Sequence, residues 1–403
     1  MRAYVNVWRL PSAPVLLLAG FAGRLPSAMV PLALLLMVQQ RTGSYAVAGL
    51  ASATLGIAMA VMAPVLGRLA DRRSPRIVLL AEAVAYPSLL ALLAAVVLGG
   101  GSPAAIVAAS AAAGAATPLV SGTVRALWSR TDPALRPTAY ALDATATEFV
   151  FVAGPTTVAA ITVLGSPALA LAVAGTLAAV GALGLSFSAA MRSWVPAPAE
   201  TRTGLFTTVL APGMPRVLVS GSALMLGFGA LEVALPAFAD RAGSPGLSGV
   251  LLAVWSLGSV AGGLWFGARV VSTSLPRQYR WGLLGVTIGM VPLAAVSSPW
   301  VLGVLLFLGG TAIAPTLTVQ SSLVGTIAPR HATTEAFTWL STIAFGASAV
   351  GAALGGALIE SSYGVSGSLV LAVAGAALAV AATLVPGRGR RSAGSPSREP
   401  AVA

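Results

Sequence analysis

Residues 67–79 read Gly67-Arg68-Leu69-Ala70-Asp71-Arg72-Arg73-Ser74-Pro75-Arg76-Ile77-Val78-Leu79. Five charged side chains fall within these thirteen positions, in a chain that is only 8% charged. Before them runs an apolar stretch over 45–69, and after them another over 76–98. About 20 apolar residues cross a bilayer as a helix, so each stretch is long enough to span. The quoted residues therefore read as a short charged turn between two membrane helices, with Ser74-Pro75 as the start of the second.

The same pattern continues outward in both directions. The 403 residues are 57% apolar, and mean hydropathy is +0.90. A soluble core cannot use that much apolar surface, so a soluble enzyme is excluded. Apolar stretches occur at 14–39, 45–69, 76–98, 103–124, 138–164 and 167–191, then at 217–238, 247–271, 281–296, 300–327, 334–359 and 369–385. That predicts an all-α polytopic membrane protein with twelve transmembrane helices, the ninth the shortest. It divides into a first six-helix bundle over 1–191, a loop over 192–216, a second bundle over 217–385 and a disordered basic tail over 386–403.

All 23 basic residues are Arg, and they set the orientation. On one side of the helices fall Arg2, Arg9, Arg68, Arg72, Arg73, Arg76, Arg125, Arg130, Arg136, Arg192, Arg202, Arg216, Arg269, Arg277, Arg280, Arg330, Arg388, Arg390, Arg391 and Arg398, and on the other only Arg41 and Arg241. The positive-inside rule places both termini and the 192–216 loop in the cytoplasm of a cell that holds the chain in its plasma membrane. The formal net charge of +12 is thus a topology signal with the lipid bilayer as its partner, and no nucleic acid is expected. Without Cys there is no thiolate chemistry or disulfide, and His331 alone builds neither a metal site nor a triad. Without Lys there is no ATP-binding P-loop. No cofactor or metal is expected, and no enzymatic activity.

The two halves repeat. Pro118 stands 197 residues before Pro315, Ala139-Tyr140-Ala141-Leu142 the same distance before Ala336-Phe337-Thr338-Trp339, and Gly154 before Gly351. Parallel repeats of this kind hold a substrate site between the halves near the midplane. With that repeat and twelve spans, residues 67–79 resemble the signature loop of the major facilitator superfamily, G-x-L-a-D-r-x-G-r-k-x-x-l. Ser74 and Pro75 depart from it. The resemblance covers nearly the whole chain and implies two six-helix bundles, alternating access, and a cytoplasmic gate formed by Gly67, Leu69, Asp71, Arg72 and Arg76. A carboxylate there would meet the N-terminus of the eleventh helix, where unpaired N–H groups and the dipole favour it. In the second-half counterpart, residues 262–267, Phe266 takes the place of the Asp. Gly154-Pro155 partly matches the helix 5 motif of drug exporters in the superfamily. With Gly351 and Gly355 in the eleventh helix, these small residues also allow close helix packing. The membrane Arg that such exporters carry in helix 4 has no expected match, because Arg125 falls just past the predicted end of that helix.

Ionisable groups deep in a bilayer are costly and mark candidate sites. Arg24 and Glu148 each lie ten residues inside their helices, about 15 Å deep from the same side, which makes them expected partners. Glu232 lies about 22 Å from that side with no cation at its depth, and a lone buried carboxylate tends to hold a proton. Glu82 and Asp143 are shallower and expected to pair with Arg68, Arg125 or Arg136. Trp255, Trp265 and Trp339 are candidates for the cavity wall, with lipid-facing packing as the alternative. Together these residues point to a monomeric, proton-coupled exporter of a small organic or amphiphilic molecule, with Arg24, Glu148 and Glu232 as candidates for charge and proton handling. An uptake symporter for a sugar or other metabolite is the second reading, and a non-transporting scaffold or receptor a remote one.

Overall fold

Serine–proline pairs punctuate the chain. At Ser74-Pro75, Ser102-Pro103 and Ser166-Pro167 the serine hydroxyl accepts an N–H of the first turn and the proline fills N1, where its missing N–H costs nothing. The computed structural model describes residues 2–194, 206, 208–243, 247–269 and 273–385. The expected tail, and residues 195–205 and 207 of the expected 192–216 loop, lie outside them.

Among the described residues sixteen α-helices run in order: α1 (Arg2–Trp8), α2 (Ala13–Thr42), α3 (Tyr45–Arg72), α4 (Pro75–Leu98), α5 (Pro103–Ala115), α6 (Val120–Ser129), α7 (Arg136–Leu164), α8 (Pro167–Ser186), α9 (Ala189–Arg192), α10 (Met214–Arg241), α11 (Leu247–Gly267), α12 (Leu275–Met290), α13 (Pro299–Gly310), α14 (Ile313–Ile327), α15 (Thr333–Glu360) and α16 (Gly364–Leu384). No strand occurs among the described residues. Among the described residues eleven spans are long and apolar enough to cross a membrane. The ninth, α12, falls short and is extended by a 3-10 turn, Val291–Ala295, in which Pro292 prevents a further α-turn.

Two expected helices are broken rather than continuous. The fourth span divides into α5 and α6 around Thr117-Pro118, and the tenth into α13 and α14 just before Pro315. Proline lacks an N–H and pushes its predecessor out of the helical region. Pro118 and Pro315 keep the 197-residue offset and a break falls at or just before each, so the repeat seen in sequence reappears in the backbone. The fourth span also runs to Ser129, five residues beyond the expected end.

Helices α2 to α8 form one bundle, with α2 packed on α8, α7 and α3; α10 to α16 form the other, with α10 between α15 and α16. The bundles meet through α3 with α15, α6 with α15, and α7 with both α11 and α14. Near the arginine-rich end, Tyr140 of α7 and Phe337 of α15 set their rings 6.1 Å apart across this seam. Outward-facing Leu18, Ile57, Val84, Ile288 and Val304 are exposed. An apolar exterior around helices that satisfy their own backbone groups is what lipid demands.

Candidate functional site

Between the bundles lies a cavity of about 290 Å³, near the lower end of small-molecule sites. Its walls come from single helix faces. On α10, Met225, Phe228 and Glu232 recur at spacings of three and four, as do Trp255 and Ser259 on α11, Leu317 and Ser321 on α14, and Ser341, Phe345 and Ser348 on α15. The first bundle supplies Arg24 and Ser27 from α2, Ser121 and Arg125 from α6, and Thr147, Glu148 and Phe151 from α7.

The charges pair differently from the sequence expectation. Arg24 Nη2 donates to Asp143 Oδ1 at 2.6 Å and Arg125 Nε to Oδ2 at 3.2 Å, so one carboxylate serves two guanidinium groups. Arg24 Nη1 also reaches Thr147 Oγ1 at 3.5 Å. Arg24 and Asp143 are buried. The expected Arg24–Glu148 pair does not form. Side chains on a helix lean toward its N-terminus, which in α2 is the arginine-rich end, so a long Arg side chain meets the shallower Asp143. Glu148, five residues on and about 140° around α7, faces the other bundle.

There Glu148 Oε1 accepts from Ser259 Oγ at 3.1 Å, with Ser256 one turn away on the same side. Glu232 opens onto the cavity and makes no hydrogen bond among the described residues, as its depth suggested. Both carboxylates line the same cavity. Arg125, expected at the membrane surface, instead lines the cavity floor, because α6 continues past it and Ser121 and Arg125 share a face. Among the described residues Glu82 forms no ion pair with an arginine. Its Oε2 accepts the N–H of Leu119 at 3.0 Å, the donor freed by the helix break.

At the arginine-rich end, Asp71 Oδ1 accepts from the Thr334 N–H at 3.2 Å and Oδ2 from the Glu335 N–H at 2.8 Å, at the start of α15 as the sequence predicted. Gly67 allows this approach, since a Cβ there would lie 2.5 Å from Thr338 Oγ1. Arg72 lies near the Glu335 carboxylate. Leu69 is exposed, and Arg76 stacks on Phe187 within its own bundle, 5.3 Å from the ring centre. In the second copy, where Phe266 replaces the Asp, Thr138 Oγ1 donates to the Gly267 carbonyl at 2.8 Å and the Tyr4 hydroxyl to the Leu264 carbonyl at 2.5 Å.

Close packing explains the glycines. A Cβ on Gly154 would meet the Ala28 Cβ at 2.6 Å, one on Gly355 the Ser368 Oγ at 2.6 Å, and one on Gly351 would run into the Leu226 carbonyl. Pro155 sits inside an unbroken α7. Of the tryptophans, Trp255 lines the cavity, edge-on to Phe228 at 5.2 Å. Trp265 is exposed beneath Arg269, and Trp339 packs on Phe206. Sequence reading missed Gln320, which reaches the cavity and donates to the Tyr279 hydroxyl at 3.1 Å; Ser220 Oγ is 3.1 Å from the same hydroxyl.

The model of the major facilitator superfamily matches residues 16–271. The chain belongs to the major facilitator superfamily. It is therefore a multi-pass membrane transporter and not an enzyme. Solved superfamily structures share its fold. A bacterial homologue of the iron transporter ferroportin, in an outward-facing state, is 15% identical, with 92% of this chain and 98% of that chain covered at a TM-score of 0.73. The human organic anion transporter MFSD10 is 17% identical, with 93% and 98% covered at 0.72. The proton:xylose symporter XylE, bound to 6-bromo-6-deoxy-D-glucose, is 14% identical, with 93% and 95% covered at 0.71. No curated protein matches the chain.

Proposed function

We propose that this transporter exports a small organic, amphiphilic compound in exchange for protons, acting as a monomer in the plasma membrane with both termini in the cytoplasm. The observation that carries this reading is Glu232, a carboxylate with no hydrogen-bond partner among the described residues, across one cavity from Glu148. A carboxylate held in an apolar cavity exchanges its proton when the cavity wets or dries. The walls favour an amphiphile over a sugar, since Phe151, Phe228, Trp255 and Phe345 offer apolar surface among the serines and, among the described residues, Gln320 is the one amide side chain lining the cavity.

With the arginine-rich end cytoplasmic, the contacts of Asp71, Thr138 and Tyr4 close the cytoplasmic side, and the conformation faces outward. The likeness to an outward-facing homologue supports that assignment. In such a state Glu148 and Glu232 take protons from outside and release them inside as the bundles rock. Arg24 and Arg125, sharing Asp143, keep one net positive charge on the first-bundle wall. A proton entering along the membrane potential yields about 2.3 kcal/mol per 100 mV, enough for roughly a fiftyfold substrate gradient.

The test uses proteoliposomes with an imposed pH difference and a fluorescent amphiphile. A proton gradient should drive flux, a sodium gradient should not, and Glu232→Gln should abolish the response. Flux under sodium alone, or parent behaviour in Glu232→Gln at every pH, refutes proton coupling.

A further inference from the structure

Two guanidinium groups share one carboxylate on the first-bundle wall, while Glu148, farther along α7, and Glu232, on α10 of the second bundle, stand without a cation among the described residues. Arg24 is engaged through both terminal nitrogens, by Asp143 and Thr147, and its buried Nε has no partner. Arg125 gives only Nε to Asp143. Its two Nη groups make no hydrogen bond among the described residues, and its side chain, 19% exposed, reaches the cavity. That leaves one surplus positive charge on a planar fork shaped to grip an anionic group in two places. Glu148 has only serine hydroxyls and Glu232 has nothing.

We propose that the cavity takes an amphoteric ligand, a single molecule carrying both an anionic group and an amine, with the anion on Arg125 and the amine on Glu232. The proposal rests on the reading of this cavity as the substrate site and names the chemistry it selects. A purely cationic ligand would leave the Arg125 fork desolvated and unpaired. A purely anionic one would face two carboxylates. A neutral amphiphile would satisfy neither pole, and each unpaired buried charge is costly. The spacing also sets the ligand. Asp143, which anchors the positive pole, and Glu148, at the negative pole, are five residues apart on α7, about 7.5 Å along its axis. The ligand's charges should therefore be separated by several bonds, with an aromatic body against Phe228 and Trp255.

Three probes with one fluorophore and one chain length decide it. Nα-dansyl-lysine carries a carboxylate and an ammonium, dansylcadaverine is the same molecule without the carboxylate, and dansyl-norleucine lacks the ammonium. Fluorescence anisotropy on the full chain in detergent, with no gradient, should find Nα-dansyl-lysine at least about tenfold tighter than either relative, which is 1.4 kcal/mol. Arg125→Gln leaves Arg24 and Asp143 as a one-to-one pair. It should weaken Nα-dansyl-lysine about tenfold, whereas dansylcadaverine, relieved of the unpaired fork, should bind at least as tightly as to the parent, and that retained binding shows the variant is folded. Glu232→Gln should weaken both amines and spare dansyl-norleucine. The ranking on the parent protein decides without any variant: equal or tighter binding of dansylcadaverine or dansyl-norleucine, or binding of none, overturns the proposal. A cation-first ranking would leave proton-coupled export standing, because that is measured by gradient-driven flux. Conversely, absent flux with the expected ranking refutes coupling and keeps the ligand class.

Discussion

Asp71→Asn should open the arginine-rich end without harming the fold. The parent carboxylate is buried, 3% exposed, and accepts two N–H groups of the α15 N-terminus at 3.2 and 2.8 Å. Asparagine has nearly the same shape, but its one carbonyl can accept from only one side, and its NH₂ meets the second N–H donor to donor. A negative charge at a helix N-terminus contributes about 0.3–1 kcal/mol when exposed and up to about 2 when partly buried. The contact crosses the two bundles, so it exists only while that end is shut, and its loss falls on the closed state alone. A loss of about 1–2 kcal/mol shifts the closed-to-open ratio by roughly 5- to 30-fold. The chain has no cysteine, so Ser259→Cys places a single thiol in the cavity. With a membrane-impermeant maleimide added from the arginine-rich side, Asp71→Asn should raise its labelling rate by that factor. Asp132→Asn, at a loop carboxylate that caps Ala134 at the same end, should not. An unchanged rate in Asp71→Asn, or an equal rise in the Asp132 control, would show that the carboxylate does not hold the two bundles together.

Four further outcomes are expected. Asp143→Asn strands two guanidinium groups and should cost about 3–5 kcal/mol of stability in thermal unfolding, well above Arg125→Gln, which leaves a neutral pair; equal losses would mean that the shared carboxylate is not the anchor. Glu82→Ala leaves the Leu119 N–H buried without an acceptor and should cost about 1–3 kcal/mol, with hydrogen exchange at the break rising. Gly351→Val should destabilise by at least about 1–3 kcal/mol through overpacking against the Leu226 carbonyl, whereas Gly356→Val, at a site open to added atoms, should be tolerated. Ser193→Cys should react only with reagents admitted to the cytoplasm, and labelling from outside would invert the proposed topology.

The spans and the half repeat were legible because each depends on local or periodic information, run length and a fixed offset, and the Asp71 contact because residues 67–79 resemble a known signature loop. The ion pairs were not. Depth along an axis placed Arg24 level with Glu148 but ignored the direction in which side chains lean and the angle around α7, and these gave Arg24 to Asp143. Arg125 was hidden by a boundary error of five residues, although its spacing of four from Ser121 could have signalled a shared face. Glu82 has a backbone partner, and a freed N–H at a helix break carries no letter in the sequence. Pro118 was the available sign of it.

A continuous helix is a stiff rod, and a push at one end turns the other. The fourth and tenth spans are not rods of this kind. At 116–119 and at 311–312 the ladder of backbone bonds is interrupted, so torque applied to α6 or α14 is only weakly transmitted to α5 or α13. The halves with compliant joints are those that bear Arg125 and Gln320. Mechanically, the parts that touch the cavity contents are separated from the parts at the end away from the arginines, and a small displacement at the cavity need not carry every full-length helix with it.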